Sequence, residues 1–163
     1  MSYQDRYPKN FTRKELLKSE TAARRNILNT PSSVEHENNL VSLAWFLQTL
    51  RDELCLHFNR VIPLVVSSGY RSEALNTLIG GSKRSAHCHG LAADFVALGL
   101  SVGEVVKFIN EHRLLSKMVD QVIDEFDEWI HVGITQPKTH KKRNEFLVAR
   151  KKGGRTVYTP YKA

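Results

Sequence analysis

Apolar positions along this chain recur with two different periods, and the changes of period mark its elements. From Ser33 to about Phe58, the residues Leu40, Leu43, Ala44, Leu47, Leu50 and Leu54 keep the i, i+3, i+4 spacing of one buried helix face, with Ser33 placed to cap it. Upstream, FTRKELL follows Asn10 and predicts a first helix over Arg13 to Asn26. The segment LNTPS (28–32) ends it as a turn, because Pro31 disfavours helical geometry at the residue before it.

Past the long helix the period shortens. VIPLVVSS (61–68) is a β-branched run that reads as a strand, with Pro63 signalling an edge position or an irregular start. Ser72 as N-cap and Gly80-Gly81 as a stop enclose a two-turn helix, and SKRSAHCH follows as a polar loop. LAADFVAL (91–98) is a second strand, and Ser101 with Glu104 forms a capping box opening a helix to about Glu111. DQVIDE and EWIHVGIT are close enough to pair as a hairpin, and FLVAR and RTVYT add edge strands. Three or four helices and four to six strands in mixed order make an α+β domain.

Composition adds limits rather than elements. With 163 residues, 41% apolar and 25% charged, residues 1–163 are expected to form one domain with a real core. No apolar run is long enough to cross a membrane, and the N-terminus lacks the apolar stretch of a secretory signal. The expectation is a cytoplasmic monomer that reaches other compartments only on release. Two cysteines, Cys55 and Cys88, do not make a disulfide framework. A net charge of +7 points to an anionic partner. Lys138, Lys141, Lys142 and Arg143 form one basic cluster, and Arg150, Lys151, Lys152 and Arg155 another. They are either a solvated, partly mobile face or a surface that holds a polyanion such as a cell-wall polymer. Nucleic acid is disfavoured, since aromatic residues do not interleave with the basic ones.

Chemistry concentrates in SAHCHGLAAD (85–94) and EWIH (128–131). His87, Asp94 and His131 offer two imidazoles and a carboxylate, a set that suits a catalytic zinc ion with one position left for water. Strand alternation sets Asp94 on the face of Ala92 and Val96, where an acid is costly unless paired or metal-bound. Each ligand has a plainer reading. His87 can be a structural turn residue, Asp94 can pair with Lys83 or Arg84, and His131 can be a satisfied core histidine beside Trp129. His89 can replace His87 as a ligand. Cys88 with a histidine can form a nucleophile pair, although adjacent side chains point apart. Glu128 can move a proton for a hydrolase only from just before the strand or from a bulge, because a separation of three reverses the face. Otherwise it is a solvent-facing acid. Arg71, between strand and helix in SGYRS, can hold a carboxylate or stabilise an oxyanion, or simply be exposed.

Together these pieces resemble the zinc peptidases of the D-Ala-D-Ala carboxypeptidase type, which include phage cell-wall endopeptidases. Ser85, His87, Gly90, Ala92 and Asp94 fill that family's S-x-H-x-x-G-x-A-x-D motif. SGYRS appears as Ser68 to Ser72, followed by Asn76, Ile79, Gly80, Gly81 and Ser82, and E-x-x-H appears as Glu128 to His131. NFTRKELLKSETAARRNILNTP is similar to the family's N-terminal pattern, so the resemblance covers roughly 10–135 and leaves a basic extension, 136–163. It implies an α+β fold with a central antiparallel sheet flanked by helices. It implies zinc on His87, Asp94 and His131, with Glu128 as general base and acid. Arg71 would orient substrate and stabilise the oxyanion, and Ser85 would contact substrate beside it. The implied substrates are peptidoglycan stem peptides cut at or beside D-alanine, in a phage or prophage lysis role. The competing class is a non-catalytic wall- or virion-binding module on the same fold.

Overall fold

Leu40, Leu43, Leu47, Leu50 and Leu54 are fully buried on one side of a long helix, α3 (Val34–Phe58), and the rest of the chain is arranged against that stripe. A computed structural model describes residues 3–140 and 142–163, so Lys141 of the first basic cluster lies outside the described residues. Ser33 caps α3 by accepting from the His36 N–H, and Asn59 closes it in the left-handed conformation.

The expected helix over 13–26 is two short ones, α1 (Arg13–Leu17) and α2 (Glu20–Arg24). Two local causes separate them. Ser19 caps α2 by accepting from the Ala22 N–H. The Leu16 carbonyl, which a continuing helix would pair with Glu20, instead accepts from the Tyr70 N–H at 2.8 Å. Arg13 and Tyr7 both bind the Glu37 carboxylate, tying the N-terminal segment to α3.

Six strands form one sheet: β1 (Leu64–Ser68), β2 (Ala92–Ala97), β3 (Val119–Glu125), β4 (Trp129–Ile134), β5 (Glu145–Lys152) and β6 (Arg155–Pro160), in the order β1-β2-β4-β3-β5-β6. Pro63 precedes β1, which is an edge strand, as its sequence suggested. Every neighbouring pair is antiparallel except β3 with β5, which is parallel, so the central antiparallel sheet is extended into a mixed one. α4 (Glu73–Leu78), α5 (Val102–Glu111) and a short unanticipated α6 (Leu115–Met118) complete the α+β fold. The capping box of Ser101 and Glu104 is present at the start of α5. None of the described helices is long and apolar enough to cross a membrane.

The sheet has two unlike faces. Ala93, Phe95, Val122, Ile130 and Val132 join the α3 stripe and Val105, Val106 and Ile109 of α5 in one apolar core. The opposite face carries the polar residues of the two chemical motifs.

The basic extension is built into this sheet. Arg150 binds the buried Asp124 carboxylate through both terminal nitrogens, at 2.8 and 2.9 Å, and also Asp127. Arg143 binds Asp120 and Glu145, and Lys138 binds Glu35. Much of the positive charge at this end is therefore engaged within the molecule.

Two consequences can be measured by denaturant unfolding. Burial raises the Asp124 carboxyl, but bonds from Arg150 and the Asp127 N–H outweigh it and hold the carboxyl below its ordinary range. Asp124→Asn should therefore cost about 1–3 kcal/mol at neutral pH. A depressed folded-state value contributes stability above the unfolded value, about 3.9, and loses it on acidification. The gap between wild type and variant should accordingly be flat near neutrality and shrink as pH falls below about 4. Second, Gly90 has φ +71°, and a Cβ there would stand 2.5 Å from the His36 carbonyl oxygen. Gly90→Ala should destabilise by roughly 1–3 kcal/mol, through strain and displacement of the turn against α3.

Candidate metal centre

Register brings the separated motifs together. Asp94 on β2 is the direct partner of His131 on β4, and Ser68 on β1 lies across from Asp94 on its other side. His87 comes from a tight 3-10 turn, Ala86–His89, that Gly90 closes in the left-handed conformation before β2. Asn39 of α3 holds this turn by donating to the His89 carbonyl at 2.9 Å. The Arg71 N–H donates to the His87 carbonyl, so the SGYRS turn and the histidine turn support each other. Asn29 fixes the SGYRS turn from below, donating to the Leu17 and Tyr70 carbonyls and accepting from the Ser72 N–H.

Three side chains converge on one carboxylate. Asp94 Oδ1 lies 2.8 Å from His131 Nδ1 and 3.3 Å from His87 Nε2, while Oδ2 accepts from Arg71 Nη2 at 2.8 Å. Arg71 Nε donates to the Ser68 hydroxyl at 2.9 Å, which fixes the plane of the guanidinium. Lys83 and Arg84, the partners in the plainer reading of Asp94, are not among its ion-pair partners. Burial opposes ionisation of Asp94, yet the hydrogen bond from His131 outweighs it and holds the carboxyl well below the usual carboxylate range.

His87 is oriented by its other ring nitrogen. Nδ1 is 2.7 Å from the Gly69 carbonyl, which can only accept, so Nδ1 carries the proton and Nε2 presents its lone pair to the centre. Burial also pushes the His87 pKa down, keeping the ring neutral, which is the form a metal requires. One ligand atom from each of His87, Asp94 and His131 lies within 4.8 Å of the others. Ligand atoms about 2.0–2.2 Å from a tetrahedral ion stand about 3.3–3.6 Å apart. The His87–Asp94 separation of 3.3 Å has that value, and the His131 contact is shorter by the difference expected of a direct hydrogen bond. The donor set, its spacing and its compensated charge fit a divalent ion.

A cleft of about 430 Å³ opens over these residues, with Arg71, Ser85, Gln121, Glu125, Trp129 and Tyr158 among its walls. Glu128 sits just before β4, as strand parity demanded, in the turn made by Phe126 and Asp127 at positive φ. Its side chain is exposed, and it is not among the cleft-lining residues.

Glu125 is in the cleft instead. It faces Trp129 across the β3–β4 ladder, on the same side as Ile123, whose partner is His131. Burial raises its carboxyl, with the Asp94 and Asp124 charges adding to the rise and His131 opposing it. Sequence reading passed over this residue, but the alternation Gln121, Ile123, Glu125 in DQVIDE was the available signal.

Two alternative chemistries fall away on geometry. Cys88 is buried and its thiol is pushed up by burial, which disfavours the thiolate a nucleophile needs. His89 turns from the centre, with Nδ1 3.3 Å from His36 Nε2 on α3.

Comparison with known proteins agrees with this geometry. No curated protein matches the chain. A family model described as Peptidase M15 matches residues 9–133, a span holding every residue of the His–Asp–His cluster along with Arg71, Glu125 and Glu128. The match stops short of β5 and β6, so Tyr158 on the cleft wall comes from outside it. With most of its length matched and the motif residues assembled at one place, the chain belongs to the Peptidase M15 family, the peptidases of the zinc D-Ala-D-Ala carboxypeptidase type.

Proposed function

We propose that this protein is a zinc-dependent peptidase that hydrolyses peptide bonds at or next to D-Ala in bacterial peptidoglycan stem peptides, serving a phage or prophage in cell-wall lysis. The observation that carries the reading is the convergence of His87, Asp94 and His131 in a chain of a peptidase family. His87 Nε2, Asp94 Oδ1 and His131 Nδ1 would hold the ion. When bound, zinc polarises the scissile carbonyl and lowers the pKa of water from 15.7 toward about 7.

The chain's own groups complete the chemistry. Arg71 aligns Asp94 through Oδ2, and its second terminal nitrogen would hold a substrate carboxylate or the developing oxyanion. Ser85 contacts the substrate beside it. A glutamate of the β3–β4 hairpin takes the proton of the attacking water and delivers it to the leaving amine. The E-x-x-H motif assigns that role to Glu128. A second reading, favoured by the cleft lining, gives it to Glu125, whose partly buried carboxyl is raised toward the range useful to a proton carrier. C-terminal lysines and arginines with no ion-pair partner among the described residues, such as Lys152 and Arg155, would add attraction to anionic wall polymers.

His131→Ala should abolish both stoichiometric zinc and muropeptide hydrolysis, as measured by atomic absorption and by chromatography of digests. A variant that keeps one zinc per chain would remove His131 from the ligand set. Glu128→Gln and Glu125→Gln separate the two proton carriers. The true carrier should lose on the order of 10²-fold or more in rate with zinc content unchanged, and the other should change only a few-fold. Normal rates in both variants would rule out the hairpin as the proton route.

A further inference from the structure

Arg71 belongs to two hollows. One side of it faces the cleft over Asp94, and the other faces a second hollow of about 510 Å³. This second space is bounded by the outer side of β1 at Val66, Ser67 and Ser68, by the α1–α2 corner at Lys18 and Arg24, and by Ile79 after α4. β1 is one of the two edge strands of the sheet, and an edge can take an extended peptide as an added strand.

The charge of the hollow is specific. Lys18, Arg24 and Arg71 are basic and Glu20 is the acid, a balance of three minus one, or +2. Asp94 neutralises Arg71 and Glu20 pairs with Arg24 at 3.3 Å, while Lys18 has no ion-pair partner among the described residues. Hydroxyls of Ser19, Thr21 and Ser67 stand among these cations. A carboxylate-bearing peptide backbone meets all of these features at once: donors for its acid, a strand edge for its amides, and the Val66 and Ile79 side chains for its apolar parts.

We infer that the second hollow is a binding site for an acidic, extended segment of the substrate, so that peptide lies on both sides of Arg71 and the scissile bond is internal. Arg71 then acts as the threshold between the two hollows rather than as the end wall of a carboxypeptidase pocket. The inference rests on the peptidase reading for the identity of the substrate. The peptide site itself does not require hydrolysis.

The test uses the full chain in two arms. In the first, metal is chelated and an uncross-linked stem tetrapeptide is titrated in, followed by backbone amide resonances. Shifts at Thr21, Ser67 and Ile79 are expected, and the Lys18→Ala/Arg24→Ala variant should bind about 3- to 10-fold more weakly. Amidating the carboxylates of the peptide should weaken binding to wild type by a similar factor and to the variant hardly at all. Shifts confined to residues around His87 and His131 would overturn the inference. In the second arm the zinc-loaded protein is given cross-linked muropeptide dimers and uncross-linked pentapeptides. Splitting of the dimers supports the inference, and release of terminal D-Ala as the sole product overturns it. Cleavage of neither, with the amide shifts intact, would defeat the peptidase reading and leave the peptide site standing.

Discussion

A carboxylate that must stay ionised inside a protein governs this structure. Asp94 lies in a strand whose neighbours, Ala92, Ala93 and Phe95, are fully buried, and an uncompensated charge there would cost several kcal/mol. Compensation arrives from two other places in the chain, His131 across the β-ladder and Arg71 from the turn after β1, while the turn before the strand sets the His87 lone pair beside the same carboxylate. Much of the remaining architecture can be traced to keeping those groups at hydrogen-bond distance. Asn29 fastens the Arg71 turn, Asn39 fastens the His87 turn to α3, and Gly90 lets that turn lie against the α3 backbone.

The same arrangement separates stability from chemistry. One face of the sheet buries its side chains against α3 and α5 and needs only apolar volume. The other gathers ionisable groups whose charges would repel or desolvate each other without a fixed register. Because side chains alternate along a strand, a shift of one residue in β2 or β4 would move Asp94 or His131 into the core. The α3 stripe, by filling the inner face, therefore also fixes which residues reach the cleft. The parallel β3–β5 junction extends that control into the C-terminal hairpin, where the Asp124–Arg150 pair locks β5 and brings Tyr158 to the cleft wall.

Burial and hydrogen bonding act against each other at several of these groups. At Asp94 the bonds prevail and the acid stays charged, whereas at Cys88 burial prevails and the thiol stays neutral. At Glu125 burial also prevails, with no side-chain hydrogen bond among the described residues to hold the charged form. The outcome at each position follows from how many donors point at it, which is a property of the packing around it.

The amino-acid sequence by itself determined the long helix, the capping box at Ser101 and the strands that carry Asp94 and His131, because these depend on local periodicity and capping. Its motifs also named His87, Asp94, His131 and Arg71 as a group, through resemblance to a family to which the chain belongs. Only the tertiary structure decided what depends on contacts between distant segments. The helix expected over 13–26 breaks because Leu16 gives its carbonyl to Tyr70, a partner far along the chain. The C-terminal strands, expected from their sequence, are tied to β3 by the bond of Arg150 to the buried Asp124. Arg71, not Lys83 or Arg84, meets Asp94, and Glu125 lines the cleft, since a motif counts residues along the chain and the register of β3 on β4 decides which side chains share a face.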